Sequence, residues 1–128
     1  MTRDLINVQY PVLDGTQSVA EVKVTKSDVT QANGISIKEA FANKNNTLLI
    51  CVENTAAAPS QVTFKAGDMY PNAMLGDLTV DVDTSAVHAF QIQDISRFET
   101  RDGALNLDFA SGFEGKIYAI AKPTALNV

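Results

Sequence analysis

The sequence contains no tryptophan, one cysteine (Cys51) and one histidine (His88) in 128 residues. A single cysteine excludes an intramolecular disulfide and any thiolate metal cage. A single histidine excludes every site that needs two imidazoles. Phosphate loops of the G-x-G-x-x-G and G-x-x-x-x-G-K kinds are missing, and so is the G-x-S-x-G elbow that would carry a nucleophilic serine. Basic residues are also scarce. Ten Lys and Arg face fifteen Asp and Glu, giving a net charge of −5, which argues against a nucleic-acid partner bound by phosphate neutralisation. The longest apolar run, Leu48-Leu49-Ile50-Cys51-Val52, is far short of the roughly 18 residues of a membrane span, so no membrane partner is expected. Arg3, Asp4 and Pro11 interrupt the stretch where a secretion signal needs an unbroken apolar core, which predicts a chain made and kept in the cytosol unless it leaves as part of a larger particle.

What remains is the composition of an ordinary globular domain, 45% hydrophobic and 20% charged, on a chain long enough to bury a core without staples. From Thr47 onward it reads as short strands divided by turn signals. TLLICVEN (47–54) is nearly continuous in apolar residues, the pattern of a strand buried on both faces. Pro59 breaks it, and QVTFK (61–65) then alternates with Val62 and Phe64 to one side. LTVDV (78–82) places Leu78, Val80 and Val82 inward. AVHAFQI (86–92), ALNLDF (104–109) and KIYAIA (116–121) alternate likewise, with Gly103, Gly112 and Gly115 at turns. No helix long enough for a βαβ crossover separates them. The spacing predicts a mainly β fold, an antiparallel β-sandwich or small β-barrel of Ig-like or jelly-roll-like type with at most one short helix.

The first 46 residues are less uniform. VAEVKV (19–24) reads as an edge strand. After the Asn33-Gly34 turn signal, Ser36 and Glu39 have capping-box spacing for a two-turn helix burying Ile37, Ala40 and Phe41, and a strand over ISIKEAF competes with it. Residues 1–15 are expected to form an N-terminal arm or edge strand ahead of a single β-sandwich domain over 16–128. Leu5, Ile6, Val8 and Tyr10 give that segment too many apolar groups for an idle tail, which makes them candidate interface residues.

The chemistry-bearing residues favour binding over catalysis. His88 shares parity with Ala86, Phe90 and Ile92, on the core side or its rim, and has no orienting partner in sequence. Asp68, Asp77, Asp81, Asp83 and Asp94 occupy a stretch without Lys or Arg, but no calcium loop is spelled there, and DVD on a strand is ordinarily a solvated face. No catalytic residue, cofactor or metal is expected. The unusual segment is the loop 68–76, which puts Met69, Tyr70, Met74 and Leu75 where polar residues belong. Met and Tyr are enriched at protein interfaces, and the competing reading is a loop that folds back to cap the sandwich.

The strand series Thr47-to-Asn54, then Gln61-Val62-Thr63-Phe64-Lys65-Ala66-Gly67, then Gly76-Asp77-Leu78-Thr79-Val80-Asp81-Val82, resembles a group of small phage and prophage virion proteins. The resemblance continues through Ser96-Arg97-Phe98, Asp102-Gly103 and the strand Lys116-to-Pro123, covering residues 45–123. It implies a non-enzymatic head decoration protein of a tailed phage, bound to the major capsid protein of the assembled shell and self-associating on its lattice. The location it implies is the capsid surface of the virion. Two alternatives stay open, a neck or tail structural component and a carbohydrate- or host-surface-binding β-sandwich module; the lack of Trp weighs against the second. Apart from the resemblance, Phe98 is expected to anchor a corner in the core and Arg97 to pair with Glu99 or Asp102.

Overall fold

Period-two alternation of apolar residues governs almost every element of the structure, a computed structural model describing residues 3–13, 15, 19–41, 48–68 and 71–121. The strands are β1 (Asp4–Gln9), β2 (Val12–Leu13), β3 (Ala20–Glu21), β4 (Ser27–Asp28), β5 (Ile35–Lys38), β6 (Leu49–Asn54), β7 (Ser60–Phe64), β8 (Leu78–Val82), β9 (Ala86–Gln91), β10 (Leu105–Phe109) and β11 (Gly115–Ile120). A 3-10 turn covers Asn72–Leu75, and a single helical turn, α1, covers Ile95–Phe98. The mainly β expectation holds: 46% of the described residues are strand and 7% helix.

Nine strands form one sheet in the order β8-β7-β10-β5-β1-β11-β6-β9, with β4 joined to β11, and the sheet curls into a nearly closed barrel. The short ribbon β2-β3 stands apart from it. Along β10, Leu105, Leu107 and Phe109 point inward and are buried, while Asn106 and Asp108 face out. Ile35 and Ile37 on β5, Val62 and Phe64 on β7, Ile50 and Val52 on β6, and Ile117 on β11 meet them in one apolar core. Burial at about 25 cal/mol per Å² of apolar surface is the main stabilising term.

Two sequence expectations for the N-terminal half are corrected. β1 is neither an arm nor an edge strand but lies inside the sheet. Asp4–Asn7 pair with Ile35–Lys38 of β5, then Val8 and Gln9 pair with Ala119 and Ile120 of β11. Alternation decides this: Ile6 enters the core at 7% exposure, Val8 packs against it, and Leu5 points outward at 62%. Both pairings are parallel, whereas every other ladder among the described residues is antiparallel, so the sheet is not antiparallel throughout. The long connection after β1 makes a helical crossover unnecessary.

The capping-box helix is also absent. Residues 35–38 form a strand, because Ile35 and Ile37 both bury completely at period two between β1 and β10, and two isolated helical turns would be marginal. It ends sooner than the ISIKEAF reading, since Glu39 adopts a left-handed φ of 54° and turns Ala40 and Phe41 into the core. Of VAEVKV only Ala20 and Glu21 join a ladder, opposite Leu13 and Val12.

Candidate functional site

Among the described residues the barrel is open between its two end strands, β8 and β9. They are consecutive in sequence and joined by Asp83-Thr84-Ser85, yet they share no ladder. Hydrogen-bond parity tells which way their main chains point. Gln61 O accepts from Ala110 N (3.0 Å) and Lys65 N donates to Asn106 O (2.9 Å), so the odd residues of β7 serve β10 and the even ones serve β8. In the register Val62↔Val80 and Phe64↔Leu78, the main-chain groups of Thr79 and Asp81 therefore turn toward the gap. The same reasoning applies across the barrel. Thr55 N donates to Glu114 O (2.9 Å), so odd residues of β6 serve β11; Ile50, Val52 and Asn54 serve β9, and Val87, Ala89 and Gln91 point their main-chain groups into the gap from the other side.

The gap is shut at one end. The Asp83 amide donates to His88 Nε2 (3.3 Å), while the buried Asn54 side chain donates to Val82 O (3.1 Å) and Ala58 O (3.0 Å) and accepts from Ala56 N (3.0 Å). Toward Leu78 and Gln91 the strands part, and a cavity of about 260 Å³ opens between them. Its floor is aromatic. Phe64 meets Phe90 edge-on at 5.3 Å between ring centroids and Phe98 at 6.1 Å. Val80, Ile92 and Leu78 complete the apolar wall, and Gln91, Gln93, Asp94 and Arg97 form the rim.

Arg97 fixes the mouth. In place of the expected pairing with Glu99 or Asp102, its guanidinium donates to three main-chain carbonyls, Gly76 O (3.0 Å), Asp77 O (3.2 Å) and Leu75 O (3.5 Å). Asp77 accepts from Ala66 N (2.7 Å) and pairs with Lys65 (2.7 Å); the amide and the ammonium hold its carboxyl below the ordinary carboxylate value. The 3-10 turn is thereby tied beside α1 with Met74 at 75% and Leu75 at 65% exposure, next to Leu78 at 41%. Arg97→Ala is expected to lower the melting temperature by about 5 °C, from roughly 1–2 kcal/mol of lost charge-assisted bonds, and to make the chain around Asn72–Asp77 the first site cut in limited proteolysis. An unchanged cleavage pattern would show that the guanidinium does not hold the turn.

No family model, curated protein or solved structure matches the chain.

The residues singled out from sequence fall on two sides of the barrel. Met74 and Leu75 stand beside the seam. Met69 and Tyr70 lie outside the described residues. Leu5 and Tyr10 (46% exposed) belong to β1 and its end, in the middle of the strand order and so across the barrel from the gap. Ile6 is buried in the core, which removes it as an interface residue, and Val8 is partly buried against that core. His88 sits on the core rim as its parity predicts, with Nε2 closing the narrow end of the gap and Asp83 Oδ2 at 3.7 Å.

Cys51 is buried, and burial pushes its thiol pKa up, the opposite of a reactive thiolate. No cluster of three or more His, Cys, Asp or Glu capable of holding a metal occurs among the described residues. Phe64, Val80, Phe90 and Phe98, which line the cleft, were legible in sequence only as inward-facing positions. Nothing in their alternation distinguishes an open seam from a closed core.

Proposed function

We propose that this chain is a non-enzymatic structural module that binds other polypeptides, and that it decorates the capsid of a phage particle. The open seam carries the first half of this reading. It combines an aromatic-floored cleft, main-chain groups turned outward on both sides, and exposed Met74, Leu75 and Leu78 at its mouth. Its volume of about 260 Å³ lies below the roughly 300–1,000 Å³ of ordinary small-molecule sites and suits inserted side chains. The resemblance of its strand and turn pattern to small phage virion proteins supports the second half. In this role many copies bind the major capsid protein and each other on a symmetric lattice, so that modest individual contacts add up by avidity at the virion surface.

The test is composition and placement. Particles purified from cells that make this chain are expected to carry it in a fixed ratio to the major capsid protein by mass spectrometry, with antibody label spread over the head in negative stain. A few copies confined to the neck or tail, or none on the particle, would overturn the decoration reading.

A further inference from the structure

We propose that the free edge of β9 is a strand-acceptor site, taking an extended partner segment that has alternating apolar residues and Lys or Arg at its ends. This inference rests on the reading of the chain as a polypeptide-binding module and names the chemistry of the partner.

Three observations converge on it. The first is the edge itself. Natural edge strands carry charges, prolines or bulges that discourage pairing, but β9, Ala86-Val87-His88-Ala89-Phe90-Gln91, has no Lys, Arg, Asp, Glu or Pro and pairs with β6 over all six residues without a bulge. The second is the direction of its main chain. Ala89 and Gln91 turn their N–H and C=O groups into the gap where it widens, at the spacing an added strand requires. A strand laid there points every second side chain into the cleft over Phe64, Phe90 and Phe98.

The third observation is charge. Between Ala66 and Ser96 the chain has five aspartates and no Lys or Arg. Asp81 and Asp83, both exposed, stand on and just after β8 across the gap, and Asp94 lies on the rim. Arg97, the one cation among the described residues that line the cleft, directs its donors at main-chain carbonyls. An incoming strand with cationic residues is thus attracted toward the exposed Asp81 and Asp83, and an acidic one is repelled. A second copy of this chain would bring the same carboxylates to its own, which disfavours β9-to-β9 pairing.

The experiment uses the full chain and three synthetic ten-residue peptides of alternating Val or Leu and Thr. One has two lysines at each end, one has two glutamates at each end, and one is the lysine peptide with a central proline. Titration by isothermal calorimetry and amide NMR is expected to show saturable binding of the lysine peptide, with shifts at Ala89 and Gln91. Affinity is expected to be at least tenfold weaker for the glutamate peptide and lost for the proline peptide, whose missing N–H breaks the added ladder. Ala89→Pro removes an outward N–H while leaving the ladder to β6, a placement that edge strands tolerate. It should keep the melting temperature within a few degrees and abolish binding. If Ala89→Pro does not fold, Leu78→Lys at the mouth serves instead, with an expected loss of tenfold or more.

Binding of no peptide, equal binding of the lysine and glutamate peptides, or full binding by either folded variant would overturn the site. So would concentration-dependent dimerisation abolished by Ala89→Pro, which would make a second copy the occupant. Particle association that survives in Ala89→Pro would refute the seam as the docking site while leaving the module reading intact. Absence from particles alongside specific peptide binding would keep the seam as a polypeptide-binding site and refute the capsid-decoration reading.

Discussion

Deleting residues 1–9 is expected to abolish cooperative folding, or at least to lower the melting temperature by well over 8 °C. β1 joins the two halves of the barrel, with Asp4–Asn7 on β5 and Val8–Gln9 on β11. Its loss leaves two interior strands with raw edges and opens a second gap opposite the first. It also removes Ile6 from the core, worth about 2–5 kcal/mol on the scale of large-to-small substitutions. Arg3 goes with it, and its guanidinium pairs with Asp108 and donates to Leu107 O (2.8 Å). Against a total stability of roughly 5–15 kcal/mol for a domain, these losses leave little or nothing. Circular dichroism melts of the truncated and full chains make the comparison. A truncated protein that melts cooperatively within a few degrees of the full chain would mean that β1 is dispensable, as an arm would be. Ile6→Ala alone should give an intermediate fall of about 10 °C.

The contrast between β1 and β10 shows where sequence reading succeeds and where it stops. In ALNLDF the alternation of Leu105, Leu107 and Phe109 with polar residues specifies a strand and its inward face, and the structure has both. In LINV the same alternation specifies inward Ile6 and Val8 equally well for a core strand and for an arm lying on a partner. Period two gives the face of a strand, but not the strand that pairs with it. Parallel pairing to β5 and β11 depends on contacts far apart in sequence, which no local pattern encodes.

The seam was hidden for a related reason. Alternation gives each of these two strands an inward face but does not name the strand it pairs with. In the structure β8 pairs with β7 and β9 with β6, and the connection between them crosses from one half of the barrel to the other. Ser85 takes a left-handed φ of 55° in that connection, and Thr84 donates to Ala56 O, drawing it onto the turn after β6. Phe64 and Phe90, which face one another across the floor, carry the same inward parity as any core pair. The missing ladder leaves Phe90 half-buried at the opening, above a Phe64 that stays in the core.

That geometry depends on Asn54, and its replacement is expected to cost nearly as much as a core truncation. Asn54 is 1% exposed, yet its amide is fully employed, donating to Ala58 O and Val82 O and accepting from Ala56 N. Val82 is the last residue of β8 and Ala86, opposite Asn54, is the first of β9, so one side chain fixes where both strands of the seam begin to part. Asn54→Ala leaves two acceptors and one donor without partners. At about 1–3 kcal/mol for each such group, reduced where the turn 55–58 admits water, a loss of about 3 kcal/mol and a fall of about 10 °C are expected. Asn54→Asp keeps the acceptor for Ala56 N but turns a carboxylate toward two carbonyl oxygens in a buried site. It should be worse than Asn54→Ala at pH 7. Burial and the facing carbonyls raise the pKa of such a carboxyl in the folded state above its unfolded value, so the neutral acid is favoured, and as a donor it can reach Val82 O. The deficit of Asn54→Asp relative to the native chain is therefore expected to shrink as the pH falls from 7 toward 4.5, and to grow again as the pH rises through the folded pKa. Calorimetric melts of the three proteins at the two pH values test this. An Asn54→Asp protein as stable as the native chain at pH 7 would show that the amide does not hold the seam's closed end.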